Sequence, residues 1–196
     1  NVALLWLSFV LSGTQASKVH KNSPPSLMRM YTGAAVPEGH LESQIQSLTL
    51  AHANPLVQIN CVDRPEVLKV ARDLARRLGI LSQVTFVPGD ILTVDLEVGQ
   101  YDAALLGQIT HYFTPEQNIA LFKRVRESLA PTGVLVIDVP MVLDTSHERG
   151  SFGSFFIWAT SGGKTHSFAE YSDWLEVAGF KGVRQLGIEW LSARKS

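Results

Sequence analysis

Apolar and polar positions along most of the chain follow two periods in turn, one for strands and one for helices. "LVQINCVD" (56–63) is a short apolar-rich run that predicts a strand. "RPEVLKVARDLARRLG" (64–79) follows with Val67, Ala71, Leu74 and Leu78 on one face of an amphipathic helix. Pro65 suits the first turn, where its missing N–H costs nothing, and Gly79 suits the C-terminal cap. "QVTFVPGD" (83–90) and "YDAALLGQI" (101–109) predict two further strands. "TPEQNIALFKRVRESLA" opens a helix, with Thr114 as N-cap, Pro115 behind it and Gln117 completing a capping box. Its apolar face is Ile119, Phe122, Val125 and Leu129. "PTGVLVIDVP" (131–140) reads as a turn and then a nearly all-apolar strand, the kind a parallel sheet buries on both faces. "SFAEYSDWLEVAGF" predicts another helix, opened by the Ser167/Glu170 capping box and ended by Gly179. The tail "KGVRQLGIEWLSARKS" supplies two short strands.

Upstream the pattern is weaker. "LESQIQSLTLAHA" places Leu41, Ile45, Leu48 and Ala51 at helical spacing. "SLMRMY" predicts a short strand between the breaker-rich stretches "KVHKNSPPS" and "TGAAVPEGH". "VALLWLSFVL" (2–11) reads as a truncated amphipathic or core helix. It is too short to span a bilayer and lacks the basic segment of a secretory leader. The expected division is an irregular segment over 1–40 and a single α/β domain over 41–196.

Strand–helix alternation points to a doubly wound, Rossmann-like α/β sheet, in which ligands bind outside the carboxyl ends of the strands. Asp63, Asp90 and the 107–113 segment all fall at such ends. A carboxylate past the second strand of a nucleotide fold suits ribose hydroxyls, and a second one beside an apolar residue, here Asp90 with Ile91, suits a purine. The same residues also suit plainer work. Asp63 is placed to cap the following helix, and Asp90 to cap a turn after Gly89.

Composition narrows the classes. Apolar residues make up 45% and charged residues 18%, a globular balance. The net charge is -1 and basic residues are scattered, which argues against a nucleic-acid surface. The single cysteine, Cys61, excludes an internal disulfide framework and a cysteine-rich zinc site, and no metal is expected. Its apolar run predicts a buried structural thiol.

The stretches "NPLVQINCVDRPEVLKVARDLARRLGILSQVTFVPGDIL" and "YDAALLGQITHYFTPEQNIALFKRVRESLAPTGVLVIDVPM", with "SFAEYSDWLEVAGF", resemble class I S-adenosylmethionine-dependent methyltransferases of the small-molecule O-methyltransferase type. The resemblance runs from about Leu50 to Lys195. It implies a mostly parallel sheet with an antiparallel last strand. It implies S-adenosylmethionine as methyl donor, a small-molecule hydroxyl as acceptor, a cytoplasmic protein and a homodimer, with no membrane partner. By resemblance Asp63 and Arg64 lie at the donor's ribose, Gly89, Asp90 and Ile91 at its adenine, and Gly107 and Gln108 along its methionine part.

The chain departs from that pattern in three places. Counted back from "ANP", the family's glycine-rich turn falls at Leu41 to Ser43, where this chain reads "LES"; Gly33 and Gly39 are the nearest substitutes. The position of the family's catalytic histidine is Gln117, which leaves His111 as the candidate base and a capping or strand-end role as its alternative. His166 reads as a surface residue. Only about 50 residues precede the similarity, where family members carry a helical dimerisation and lid domain. The aromatics Phe152, Phe155, Phe156 and Trp158 read as core or as the lining of an acceptor pocket. Two other readings stay open: an inactive remnant or assembly partner with this fold, and a nicotinamide-dependent oxidoreductase. An antiparallel last strand inserted in the sheet argues against the oxidoreductase.

Overall fold

The computed structural model describes residues 28–33, 42–142 and 163–195. In chain order these form β1 (Met28–Gly33), α1 (Glu42–Ala53), β2 (Val57–Asp63), α2 (Pro65–Arg77), β3 (Val84–Pro88), β4 (Tyr101–Gly107), α3 (Pro115–Ser128), β5 (Leu129–Asp138), β6 (Met141–Val142), β7 (His166–Ser167), α4 (Phe168–Val177), β8 (Phe180–Gln185) and β9 (Trp190–Lys195). Seven strands make one mixed sheet in the order β3-β2-β1-β4-β5-β9-β8. The β1–β2, β1–β4, β2–β3 and β4–β5 pairings are parallel. β9 runs antiparallel to β5 on one side and to β8 on the other. The last strand is therefore inserted antiparallel, against the oxidoreductase reading. β6 and β7 pair separately, in parallel.

The apolar runs are continuous because successive residues of each strand feed opposite layers. On one face Ala103 and Leu105 of β4 and Val134 and Val136 of β5 pack with Leu48 and Ala51 of α1 and Leu68, Ala71 and Ala75 of α2. On the other, Ala104, Leu106, Leu135 and Ile137 pack with Leu121, Phe122 and Val125 of α3 and Tyr171, Trp174 and Leu175 of α4. Cys61 is buried in the first of these layers. Both expected capping boxes form, at Thr114/Gln117 and at Ser167/Glu170. Gly79 and Gly179 close α2 and α4 with φ of 72° and 91°, the left-handed backbone that glycine adopts without a Cβ penalty.

The weak upstream pattern misleads in one respect. The expected strand over "SLMRMY" is β1, and β1 is an interior strand of the sheet, between β2 and β4, rather than part of a separate segment. The boundary drawn at residue 41 therefore falls inside the fold. The turn expected at Leu41 to Ser43 does not include Glu42 and Ser43, which already belong to α1, and β1 ends on Gly33. The connection between β1 and α1 is residues 34–41, which lie outside the described residues, as do Gly39, the 2–11 run and the aromatic group at 152–158.

Candidate functional site

The carboxyl ends of β2, β1, β4 and β5 line one edge of the sheet. Asp63 ends β2 and is 1% exposed. Its Oδ1 accepts from the backbone N–H of Arg64 at 2.8 Å, and its Oδ2 accepts from Gln44 Nε2 at 3.1 Å. Burial pushes the Asp63 carboxyl up to about 6, against the partial relief of the Arg64 N–H, the Gln44 amide and the Arg64 charge. The capping alternative does not account for it. The N-cap of α2 is Arg64, with no side-chain cap bond. A carboxylate carries about four acceptor positions, so each Asp63 oxygen keeps capacity for a further donor.

Beyond β3, the Gly89 N–H donates to the Asp63 carbonyl at 3.0 Å, joining the two strand ends. A Cβ at Gly89 would lie 3.2 Å from Val94 Cγ2, so the turn is closely packed there. Asp90 is exposed, and its Oδ1 accepts from the Leu92 N–H at 2.8 Å, the turn-capping role that the sequence left open. Arg124 of α3 holds this loop from beneath, donating to the carbonyls of Ile91, at 2.8 Å, and of Val94. Ile91 itself is fully buried in the core layer with Leu121 and Phe122.

At the end of β4, Gly107 is in register with Asp138 of β5. Gln108 has φ 52°, a left-handed backbone that side chains other than Asn and Asp rarely take, and its N–H donates to the Asp138 carbonyl at 2.7 Å. Strain of this kind collects at functional edges. Asp138 is 4% exposed and accepts from Gln46 Nε2 at 2.6 Å. Gln46 Oε1 is buried with no hydrogen-bond partner among the described residues. Thus two glutamines, two residues apart on α1, each hold a strand-end carboxylate.

His111 follows in the short turn Thr110–Tyr112. It is 4% exposed, its ring centroid lies 4.1 Å from that of Tyr112, and its carbonyl accepts from the Lys164 N–H. Gln117 is engaged in the capping box, accepting from the Thr114 N–H. His166 is not a surface residue. It is 4% exposed, packs edge-on to Trp174 and lies 3.3 Å from Glu170 Oε1. β6–β7 pairing carries it inward, a tertiary contact that its polar neighbours conceal.

Gln44, Gln46 and Asp138 are not among the residues expected from the sequence. Asp138 carries a signal. "VLVID" ends an apolar strand on an acid just as "INCVD" does. The two glutamines carry none, because their partners are set by how α1 crosses the sheet.

An inserted antiparallel strand, a carboxylate closing β2 and a strained β4 end define an α/β protein of the methyltransferase type. The O-methyltransferase domain model matches residues 45–181, and the chain belongs to that family. The chain is 32% identical over 142 residues to the tetracenomycin polyketide synthesis 8-O-methyl transferase TcmO of Streptomyces glaucescens, covering 71% of this chain and 41% of TcmO. It is 27% identical over 140 residues to the L-tyrosine C(3)-methyltransferase of Streptomyces lavendulae, covering 69% of this chain and 38% of that protein. It therefore spans well under half the length of these curated relatives. The structure of PigF with SAH superposes with a TM-score of 0.70 at 22% identity, covering 86% of this chain and 50% of that one, which supports the shared fold.

Proposed function

We propose that this chain binds S-adenosylmethionine at the β2–β1–β4 edge and transfers its methyl group to a hydroxyl of a small molecule. The observation that carries the reading is Asp63: a buried strand-end carboxylate held from both sides by one donor on each oxygen, each oxygen having the capacity for another. The family membership and the SAH bound to PigF support the same donor.

The strand-end residues suit a nucleoside. Asp63 suits paired ribose hydroxyls once the Gln44 amide shares its oxygen. Asp90 offers an exposed carboxylate at the adenine position, with the buried Ile91 next to it. The backbone at Gly107 and Gln108 would run along the methionine part. When bound, the donor supplies an electrophilic methyl on sulfur. What the chain adds is position, through Asp63 and Arg64 on the ribose side, and removal of the acceptor's proton. His111 is the candidate for that proton. The hydroxyl acceptor is taken from relatives such as TcmO, although one relative is by name a C-methyltransferase. A homodimer is part of the same reading.

Titration calorimetry with S-adenosylhomocysteine tests the donor site. Wild type is expected to bind and Asp63→Ala to lose binding; equal affinity in the two sinks the idea. His111→Gln is then expected to retain that binding and to lower kcat by about 100-fold.

One observation favours a second reading, a donor-binding chain without a working base. Gln117 is engaged as a cap and His111 is buried. Binding of S-adenosylhomocysteine without methyl transfer to any of a panel of phenols would select it.

A further inference from the structure

We infer that Asn118 and Tyr171 are positioning residues that hold the His111 turn for proton removal from the acceptor. This rests on the reading of His111 as the base and adds residues to it. His111 sits in the short turn Thr110–Tyr112, between the end of β4 and the start of α3. Such a turn has little hydrogen bonding of its own. Here the Tyr112 N–H donates to the Ile109 carbonyl at 3.0 Å and the Phe113 N–H to the Thr110 carbonyl at 3.3 Å. Its fixing comes from outside. Asn118 Nδ2 donates to the Thr110 carbonyl at 2.9 Å and to the Phe113 carbonyl at 3.3 Å. Those carbonyls stand on either side of His111, so one amide spans the turn. The hydroxyls of Thr110 and Tyr171 are hydrogen-bonded at 2.9 Å. The His111 carbonyl itself accepts from the Lys164 N–H. Helix α3, helix α4 and the segment before β7 thus hold the same turn.

Asn118 is an unfavourable choice for the helix alone. It is fully buried, and its Oδ1 has no hydrogen-bond partner among the described residues. A buried acceptor without a donor is destabilising, and asparagine is a poor helix former. α3 already has its cap in Thr114 and Gln117 and its core face in Leu121, Phe122 and Val125. What the amide supplies is the pair of bonds to the turn. Tyr171 is likewise fully buried, and burial raises its pKa above the ordinary value, so the phenol stays protonated at neutral pH. The site therefore draws on both layers. α1, in one, reaches Asp63 and Asp138, while α3 and α4, in the other, hold the base. A base works only within hydrogen-bond reach of its proton, and a displacement of about 1 Å costs up to about 100-fold in rate.

A kinetic cycle on the full chain tests this, with methyl transfer from S-adenosylmethionine to a panel of phenols as the readout. Asn118→Ala is expected to lower kcat about tenfold and Tyr171→Phe about threefold, with KM for the phenol and affinity for S-adenosylhomocysteine within about twofold of wild type. In a His111→Gln background neither substitution is expected to lower kcat further, because the group they hold is gone. No loss of kcat, equal losses in the two backgrounds, or a matching loss of S-adenosylhomocysteine affinity overturns the inference while the base reading stands. Should Asn118→Ala not fold, Tyr171→Phe, which keeps its ring in the core, decides by the same comparison. A His111→Gln chain with wild-type kcat, or a wild type that methylates none of the phenols, overturns the base reading and the inference with it.

Discussion

The two carboxylates that α1 holds make an instructive pair. Asp63 and Asp138 each end an apolar strand, each is nearly inaccessible, and each accepts from a glutamine of the same helix. They differ in what surrounds them. Around Asp63 the chain is ordinary: a helix with proline in its first turn follows, and the next strand end donates an N–H to its carbonyl. Around Asp138 the chain is strained, with Gln108 forced left-handed and an amide oxygen of Gln46 left without a donor among the described residues. On the β2 side each carboxylate oxygen already accepts one donor, and a ligand must share it. On the β5 side one buried acceptor, Gln46 Oε1, has no donor among the described residues, and an unsatisfied buried acceptor calls for an explanation.

Substitutions break or sharpen that contrast in order of size. The largest effect belongs to ligand binding on the β2 side. Asp63→Ala removes two acceptors at once and should reduce S-adenosylhomocysteine affinity by about 100-fold or more in calorimetry. A loss no greater than that of Asp138→Asn would erase the distinction between the sides.

Stability comes next and carries the opposite sign. An unfolded aspartate titrates near 3.8, and Asp63 in the fold near 6. The fold therefore favours the protonated form. The stability this contributes is present below the unfolded value and is lost as pH rises from there through about 6. Asp63→Asn carries no charge and should be more stable than wild type above that window, on the order of 2 kcal/mol, with the difference vanishing in acid. Thermal melts across the range check it. Wild-type affinity for S-adenosylhomocysteine should fall over the same window as pH drops, since a protonated carboxyl offers fewer acceptors.

On the β5 side, Gln108→Gly relieves the left-handed backbone and should raise stability by about 1 kcal/mol, while Gln108→Val should lower it by more. A fall in melting temperature for the glycine variant would show that the conformation is not strained. The smallest effect is expected back beside β2. Gly89→Ala puts a methyl 3.2 Å from Val94, a side chain able to give slightly, and gains a little from a stiffer unfolded chain. Its melting point should stay within about 0.5 kcal/mol of wild type in equivalent stability.

Much of this contrast is legible in the amino-acid sequence. The helix caps at Thr114 and Ser167, the turn glycines Gly79 and Gly179 and the strand "INCVD" follow from local rules, because their partners lie within a few residues. Asp63 is legible as a carboxylate closing a strand at the edge where such a sheet binds ligands. Asp138 stands in the same kind of place but is harder to single out, because a nucleotide fold directs attention to the acid after its second strand. His166 misleads for a related reason. Polar or apolar type is a weak guide to burial where a loop is folded back onto the core.

By itself the sequence determined the alternating architecture, the two-faced strands, the boundaries of the later helices and the identity of one carboxylate. These depend on period, capping and side-chain type, which act over a few residues. Only the tertiary structure decided that β1 is an interior strand, that Glu42 and Ser43 already belong to α1, and that Gln44 and Gln46 reach Asp63 and Asp138. Contacts between residues 19 and 92 positions apart leave no local pattern. They arise when a helix crosses a sheet at one particular register, and it is there that the candidate site is built.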